Sequence, residues 1–449
     1  MRDDVPTAGR ISDPGIRGLY ALSSRWQAWL DVEAALARAQ AEIGMIPAEA
    51  AEVITAKARL DLMDRARIAE GFERTSHTLV PLVWELSRLV GEKHGGWVHW
   101  GATTQNIMES GDLLVIGQVH QVIRKLISEL LTALADLAEK GADMPMPGRT
   151  HGQHAVPITF GYKVATWIDQ LVRHLDRMDE AKPRLFCAVL GGAAGTFASF
   201  GKEGRLVQKK LAQQLGMGEV TNPSRAIIDT LAENVALMGL LAATCSRIGR
   251  EVYELMKTEF GEIEEPVPPG TVGSSTMPQK RNPKLAQDVV ALAAEARAQV
   301  PLALEAMQTE HEADRTTSLM MQTAEEQASI AVGDMLVRLV EIMRGLTLHP
   351  GRMRRNLDLS GGLIMAEAVM LELGKTIGRQ HAHDVVYDAA QDTVIKNKSF
   401  IELLAADTRV NQHLTESEIK SLIEPEKYIG LCAEMSLEAA SRARQRIAG

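Results

Sequence analysis

Long stretches without proline, each with apolar residues at helical spacing, limit most strongly what this chain can fold into. Residues 111–140 contain no proline, and apolar side chains recur there at intervals of three and four, the period of one helical face. They are Ile116, Val119, Ile123, Ile127, Leu130, Leu134 and Leu137. At 1.5 Å per residue, these 30 residues form a rod of roughly 45 Å. Further long helices are predicted at about 225–260 and 283–345, the second with a kink or break at Pro301.

Helices of this length must cover their apolar stripes against long partners, which predicts a bundle. A shorter amphipathic helix precedes them, at about 24–43. Alternating strand patterns are scarce and aromatic residues make up only 4% of the chain, so a sheet-based fold is disfavoured. We therefore expect an all-α protein with three domains: an N-terminal helical domain (1–111), a central long-helix bundle (112–361) and a small C-terminal helical domain (362–449).

Composition limits the partners of the chain. A net charge of −9 argues against a general surface for nucleic acid or anionic membranes, so an anionic ligand must meet a local group of cations. Three widely spaced cysteines fit neither a disulfide framework nor a zinc site. The N-terminus lacks the apolar core of a signal peptide, and no run of about 18 apolar residues is expected to span a membrane. The expected location is the cytoplasm. Long apolar faces also favour oligomerisation over coverage within one chain.

The segment 259–283 separates two predicted long helices and contains three glycines and five prolines, which predicts a loop. Two serines follow Gly273, and Lys280 and Asn282 come soon after. Backbone N–H groups near glycine can surround an oxyanion. A lysine and an amide can hold a carboxylate whose charge rises as the adjacent carbon loses a proton. A serine hydroxyl acts as a base only where such donors stabilise its alkoxide. A surface connection without function does not explain this grouping.

Three segments, in the expected order, resemble those of the fumarase/aspartase superfamily. Gly273-Ser-Ser-Thr-Met-Pro-Gln-Lys-Arg-Asn-Pro283 resembles its signature loop. Val98-His-Trp-Gly-Ala-Thr-Thr-Gln-Asn106 resembles its first signature region, and Arg149-Thr-His-Gly-Gln153 resembles its second. The resemblance covers nearly the whole chain and is strongest to the branch of adenylosuccinate lyase and 3-carboxy-cis,cis-muconate cycloisomerase. It implies an elongated homotetramer whose central helices form a twenty-helix core, with active sites shared between subunits and no metal or organic cofactor.

The resemblance also implies roles for individual residues. Ser274 matches the general base that takes a proton beside a carboxylate and leaves an aci-carboxylate intermediate. His151 matches the residue that protonates the leaving nitrogen in the amine-releasing members. The other matching positions are implied contacts of a small dicarboxylate substrate: Thr103, Thr104, Thr150, Gln153, Lys280, Asn282, Arg74, His77, Ser275 and Met277.

Three positions depart from the family pattern. Asn106 occupies the place of the usual aspartate of the first region, so one charge is missing. Gln287 stands where lyases commonly carry a glutamate that charges the acid histidine, and the adjacent Asp288 should point about 100° away from it. Without a carboxylate partner, the imidazolium form of His151 is less favoured. Arg10 is followed by isoleucine, whereas adenylosuccinate lyases usually show an Arg-Tyr pair for the nucleotide phosphate.

These features support a leading hypothesis and leave alternatives open. The leading hypothesis is a carbon–nitrogen lyase that releases fumarate from a succinyl-type or aminodicarboxylate substrate, or runs the reverse addition. The first alternative is an isomerase. It could epimerise an iminodisuccinate-like compound, which the missing carboxylate behind His151 favours, or cyclise a carboxymuconate, since residues 191–195 look more like those of the cycloisomerases. A remote alternative is a non-catalytic, crystallin-like structural protein. Four intact positions argue against it: Ser274, Lys280, Asn282 and His151. The leaving group, the stereochemistry and the physiological direction stay open.

Overall fold

The computed structural model describes residues 7–268, 270–271 and 273–448. Helices dominate these residues, which confirms the all-α fold class. The eighteen α-helices within them are α1 Ile16–Tyr20, α2 Leu22–Glu42, α3 Ala48–Lys57, α4 Arg65–Thr75, α5 Val80–Val90, α6 Thr104–Lys140, α7 Phe160–Leu185, α8 Gly204–Leu215, α9 Asp229–Leu255, α10 Lys284–Ala306, α11 Arg315–Gly345, α12 Pro350–Asp358, α13 Ala366–Ile377, α14 Arg379–Lys396, α15 Phe400–Ala406, α16 Thr408–Asn411, α17 Glu416–Leu422 and α18 Cys432–Ala448.

Within the described residues, three small two-stranded sheets accompany the helices. The strands in the described part of the chain are β1 Pro145–Thr150, β2 Gln153–Thr159, β3 Cys187–Ala188, β4 Gly218–Glu219, β5 Ile263–Glu264 and β6 Thr347–Leu348. The pairs β1–β2 and β5–β6 are antiparallel, and β3–β4 is parallel. The hairpin β1–β2 contains the segment 149–153, and β5 precedes the loop that ends at Pro283, so these strands matter for the candidate site.

The chain divides into two compact units. Unit 1 comprises the residues up to Leu126, His174–Cys245 and Ala291–Val337. One of its cores packs α2 closely against the first turns of α6. A Cβ at Gly111 would overlap the ring of Trp29, whose indole N–H donates to Asp112 at 3.2 Å. Glycine at this position therefore lets the two helices approach.

Unit 2 comprises Ile127–Arg173, Ser246–Val290 and the residues from Arg338 onward. It contains the hairpin β1–β2, with α12 packed on β1. A separate core joins helices α13 to α17 around buried residues such as Val369, Phe400 and Ile419. The side chain of Thr415 caps α17 in a reciprocal capping box with Glu418, which satisfies backbone N–H groups at the helix start. The three-domain division predicted above stays a prediction.

Several predicted boundaries were wrong. Helix α6 begins at Thr104 and not at Gly111, and its 37 residues span roughly 55 Å. Pro301 lies inside α10 with an exposed side chain and does not break the helix. The interruption falls instead between Ala306 and Arg315.

Helix α9 differs from the sequence expectation in another respect. It is long and apolar enough, by length and composition, to cross a membrane. Yet 61% of its most apolar window is buried inside the protein, as for a helix of a packed core. Helices in packed protein cores often have the same length and composition, so these two properties of α9 are only weak support for a membrane span.

Candidate active site

The loop between β5 and α10 presents the hydroxyl oxygen of Ser274 to backbone donors. The Oγ atom of Ser274 accepts hydrogen bonds from the N–H groups of Met277 at 3.1 Å and Thr276 at 3.4 Å. Hydrogen bonds to the charged form of a group favour that form. The loop therefore supplies, from its own backbone, donors that favour the alkoxide a serine base requires.

Contacts within the loop bring its two ends together. The side-chain amide of Asn282 donates to the carbonyl of Gly273 at 2.8 Å. A Cβ at Gly273 would overlap the carbonyl oxygen of Lys280, so only glycine fits there. The side chains of Ser275, Met277 and Lys280 are exposed on the tip. The predicted substrate contacts on this loop thus lie on a closed turn that is held at its base.

Carboxylates fix the chain on both sides of this turn. The buried Glu265 accepts hydrogen bonds from the N–H groups of Leu285 and Ala286, both at 3.0 Å, at the start of α10. A carboxylate at a helix N-terminus satisfies orphan donors and complements the helix dipole. Arg281 pairs with Glu264 of β5 at 2.7 Å. The loop therefore has firm anchors at β5 and α10.

His151 occupies the tip of the hairpin β1–β2. Thr150 pairs with Gln153, which leaves His151 and Gly152 as a two-residue turn. Their φ angles are 52° and 75°, and two positive φ angles are what a type I′ hairpin turn requires. Within the described residues, no hydrogen bond or ion pair reaches the exposed His151 side chain. The imidazole thus stands free at the end of a short, defined turn.

Below this tip, Arg149 and His154 face each other across the hairpin. The guanidinium of Arg149 donates to the buried carboxylate of Glu262 at 3.1 and 2.6 Å. Burial, followed by the charge of Arg149, lowers the pKa of His154. His154 is therefore held neutral near the base of the turn, while His151 stays exposed.

Gln287 and Asp288 are the two positions that the sequence compared with the missing glutamate. Gln287 is exposed on α10, and Asp288 pairs with Arg338 at 3.2 Å. The Arg338 side chain is only 1% exposed, so Asp288 balances a buried charge. Asp288 thus pairs with Arg338, and that it does not replace the missing glutamate stays a prediction.

Asn106 has a structural role that the sequence did not reveal. It is fully buried, and its Oδ1 accepts hydrogen bonds from the N–H groups of Gly192 at 3.0 Å and of Gly191 and Thr103 at 3.4 Å. The side chain thereby ties the start of α6 to the glycine segment that resembles the cycloisomerases. Thr103 precedes α6 and Thr104 is its first residue, so both predicted substrate contacts lie at the helix N-terminus.

A neighbouring polar group went unrecognised in the sequence. Gln105 donates to Glu109, and Arg225 donates to Gln105 at 2.6 Å and to the carbonyl of Ala193 at 2.9 Å. Burial raises the pKa of Glu109 to about 7. Arg225 lies about 120 residues away in the sequence, so spacing alone gave no signal for this cluster.

Two further predicted contacts, Arg74 in the last turn of α4 and His77 just after it, lie beside α5. The Nδ1 atom of His77 accepts from the N–H groups of Leu79 at 3.3 Å and Val80 at 3.4 Å, which orients the ring. The guanidinium of Arg74 lies over the ring of Trp84, 5.3 Å from its centroid. Both side chains therefore have structural contacts of their own.

The predicted site residues fall into two groups, one in each unit. The group in unit 1 consists of Arg74, His77, Thr103 and Thr104. The group in unit 2 consists of Thr150, His151, Gln153, Ser274, Ser275, Met277, Lys280 and Asn282. Across the described ranges, no cluster of three or more His, Cys, Asp or Glu side chains is placed to hold a metal ion.

Comparison with known proteins finds similarity over nearly the whole chain. Residues 9–297 match a family model described as "Lyase", and residues 362–438 match one described as "Adenylosuccinate lyase C-terminus". The N-acetyl-S-(2-succino)cysteine lyase of Enterococcus italicus is 36% identical over 432 residues, which cover 96% of this chain and 95% of the relative. The 3-carboxy-cis,cis-muconate cycloisomerase of Pseudomonas aeruginosa is 37% identical over 421 residues, which cover 92% and 91%.

Among solved structures, the fumarate lyase from Mesorhizobium sp. BNC1 matches with a TM-score of 0.89 and 34% sequence identity. The match covers 96% of this chain and 98% of that chain. The helical architecture described above is therefore shared along almost the full length of both proteins.

Proposed function

Because this chain belongs to the fumarase/aspartase superfamily of lyases, we propose that Ser274 takes a proton from the carbon next to a carboxylate of a succinyl-type substrate. The resulting aci-carboxylate then expels a group from the adjacent carbon and fumarate is released. The observation that carries the proposal is the pair of backbone N–H groups directed at the Oγ atom of Ser274.

In this mechanism the charge moves from Ser274 to the substrate. Deprotonation of carbon places a second negative charge on the neighbouring carboxylate, and cations or N–H donors placed there lower the barrier. Lys280 and Asn282 take that role, and Thr103 with Thr104 grips the other carboxylate. Thr150, Gln153, Ser275, Met277, Arg74 and His77 complete the proposed substrate contacts.

The leading candidate for the leaving group is an amine. A nitrogen leaving group must carry a proton to depart as a neutral amine, and His151 at the hairpin tip donates it. This is general acid catalysis, in which a positioned side chain transfers a proton in the transition state. The exposed turn gives the imidazole room to meet a substrate.

A sulfur leaving group is the second candidate, and Gln287 favours it. Without the usual glutamate, His151 is less readily charged, which handicaps an amine more than a thiol. A thiol has a pKa of about 8.5, so its thiolate departs without prior protonation. The name of the Enterococcus relative describes a succinyl thioether of this type.

An isomerase using the same intermediate is the third candidate. It epimerises an iminodisuccinate-like aminodicarboxylate by returning the proton to the opposite face, or cyclises a carboxymuconate. The similarity to a cycloisomerase and the tie between Asn106 and the segment 191–195 support this reading.

One experiment separates the candidates. The protein is incubated in deuterated water with N-substituted aspartates, adenylosuccinate, N-acetyl-S-(2-succino)cysteine and 3-carboxymuconate, and the products are followed by NMR. Fumarate with an amine identifies the C–N lyase, and fumarate with a thiol identifies the C–S lyase. Deuterium at an inverted carbon without fumarate identifies the epimerase, and a lactone the cycloisomerase.

The role of Ser274 is tested with Ser274→Ala. Ser441→Ala, at an exposed serine of α18, is the matched control. We expect the Ser274 variant to lose turnover of whichever substrate is found while the control keeps it. Full turnover by Ser274→Ala would refute the proposed base.

We further propose a cytoplasmic homotetramer whose active sites combine residues from different subunits. Exposed leucines on long helices, such as Leu240 and Leu304, each 51% exposed, support subunit contacts. Mixing Ser274→Ala with Thr104→Val, each inactive alone, is expected to restore part of the activity if a site takes these residues from different subunits. Sedimentation should give four chains per particle. A lack of recovery after confirmed subunit exchange would contradict shared sites.

A further inference from the structure

We propose that Glu262 is a positioning residue, which acts through Arg149 to hold the His151 turn in a fixed orientation. Its catalytic consequence rests on the function proposed above, whereas its structural consequence does not. The residues involved all belong to unit 2.

The contact between the two side chains is bidentate and buried. Two nitrogens of the Arg149 guanidinium donate to the two oxygens of Glu262, at 3.1 and 2.6 Å. The Glu262 side chain has no exposed surface, and that of Arg149 is 14% exposed. A planar fork that meets a carboxylate edge-on fixes direction as well as distance, which a point charge such as lysine does not.

Further contacts hold this pair on other sides. The amide of Asn356 donates to Glu262 at 2.8 Å and to the carbonyl of Phe260 at 2.9 Å. The guanidinium of Arg149 also lies over the ring of Phe260, 4.7 Å from its centroid. Arg149 is therefore held along its edge by a carboxylate and across its face by an aromatic ring.

The orientation of Arg149 passes directly to His151. Only Thr150 separates the two residues, and the turn that follows has just two residues with defined positive φ angles. A register shift in the ladder lies on the other side of Arg149, between it and Pro147. Because the ladder is irregular there, the direction of the hairpin tip depends on the side-chain contact of Arg149.

Glu262 is fixed in turn by the segment that leads to the Ser274 loop. Its carbonyl accepts the N–H of His349 at 3.0 Å, and it immediately precedes β5. Three residues later, Glu265 caps α10. The contact between Arg149 and Glu262 thus joins the hairpin that carries His151 to the framework that anchors the loop with Ser274.

Stability alone does not account for this arrangement. Burying two charges costs desolvation energy, and buried ion pairs are often no more stabilising than apolar residues of the same size. A gain in orientation is a better explanation, because a base and an acid must meet the substrate within a fraction of an ångström.

The test uses Glu262→Gln, which keeps the shape but removes the charge, and Arg149→Lys, which keeps the charge but removes the fork. Glu254→Gln, at an exposed pair with Lys257 in the same unit, is the control. Hydrogen exchange of the hairpin amides is measured first. Both variants should exchange residues 145–159 roughly tenfold faster or more, with helices α13 to α17 unchanged. In Glu254→Gln, the hairpin amides should exchange at the same rate as in the parent.

Kinetics with whichever substrate the NMR experiment identifies provide the second readout. We expect kcat to fall by about 10- to 100-fold with little change in KM, since binding survives and orientation does not. One limb of the pH–rate profile reports ionisation of the proposed acid, His151. The pH midpoint of that limb should also shift in Glu262→Gln and should not shift in the control. A variant that is merely less stable would leave that limb in place.

Outcomes separate this inference from the proposed function. Unchanged exchange of the hairpin in Arg149→Lys, with unchanged kcat, overturns the positioning role even if the parent is an active lyase. Faster exchange in a protein that turns over none of the substrates supports the structural coupling and counts against the function alone. If Glu262→Gln does not fold, Arg149→Lys still decides the question, because it retains the buried charge pair.

Discussion

The carboxyl group of Glu325 makes the free energy of unfolding of unit 1 fall as pH rises. The side chain is buried on α11, and its hydrogen-bond partners are neutral: the amide of Asn234 at 2.8 and 3.0 Å, Ser329 at 3.3 Å and Tyr20 at 3.4 Å. Burial raises its pKa from the ordinary 4.5 to about 7. We predict that Glu325→Gln stabilises the protein at alkaline pH.

The magnitude follows from the two pKa values. The unfolded chain loses this proton above pH 4.5, whereas the folded protein keeps it up to about pH 7. Between these values the folded state binds more protons, so the free energy of unfolding falls as pH rises. The difference of 7 − 4.5 pKa units, at 1.36 kcal/mol each, gives a loss of about 3 kcal/mol. Glutamine cannot ionise and avoids this loss.

Denaturant unfolding followed by circular dichroism, at pH 5 and at pH 8, measures the effect. Relative to the parent, the free energy of unfolding of Glu325→Gln should rise by about 2.5 kcal/mol between pH 5 and pH 8, because part of the parent's loss already occurs below pH 5. Glu341→Gln, at an exposed position of the same helix, should stay within about 0.5 kcal/mol at both values. If the gain of Glu325→Gln is the same at both pH values, the buried carboxyl does not ionise as argued.

Three further predictions concern His151 at the hairpin tip, the close approach of Gly161 to α6, and the thiol of Cys245. His151→Asn should slow release of an amine by about 10²- to 10⁴-fold and affect release of a thiol far less, as measured by steady-state kinetics on both substrate types. Gly161→Ala should lower the free energy of unfolding by about 1–3 kcal/mol, because the new Cβ would lie 2.5 Å from the carbonyl oxygen of Ala138. Cys245, whose pKa burial raises, should resist alkylation at pH 8 in the native protein and react after denaturation, as mass spectrometry would record.

The sequence predicted the helices with the clearest periodicity and missed elements that depend on distant contacts. The apolar stripe along residues 111–140 identified α6, but its start at Thr104 depends on Asn106, whose partners Gly191 and Gly192 lie about 85 residues away. The hairpin β1–β2 was missed because proline and glycine weaken a strand pattern. In the structure Pro147 faces Pro157, so neither position needs to donate a hydrogen bond to the other.

The candidate site shows the same division. Ser274 and its backbone donors lie within four residues of each other, so the donors lie in the same loop that the sequence singled out, while the role of Ser274 as a base stays a prediction. The contact of Arg149 with Glu262 joins residues 113 positions apart, and no local pattern could predict it. Contacts within one loop were therefore within reach of the sequence, and contacts between distant segments needed the fold.

The exposure of Gln287 has a consequence for how this protein could change its chemistry. The side chain faces solvent, and the neighbouring Asp288 pairs with Arg338, so a glutamate at position 287 would break no side-chain hydrogen bond or ion pair among the described residues. Glutamine and glutamate codons differ by a single base. Under the function proposed above, the preference between leaving groups is thus open to selection in one mutational step.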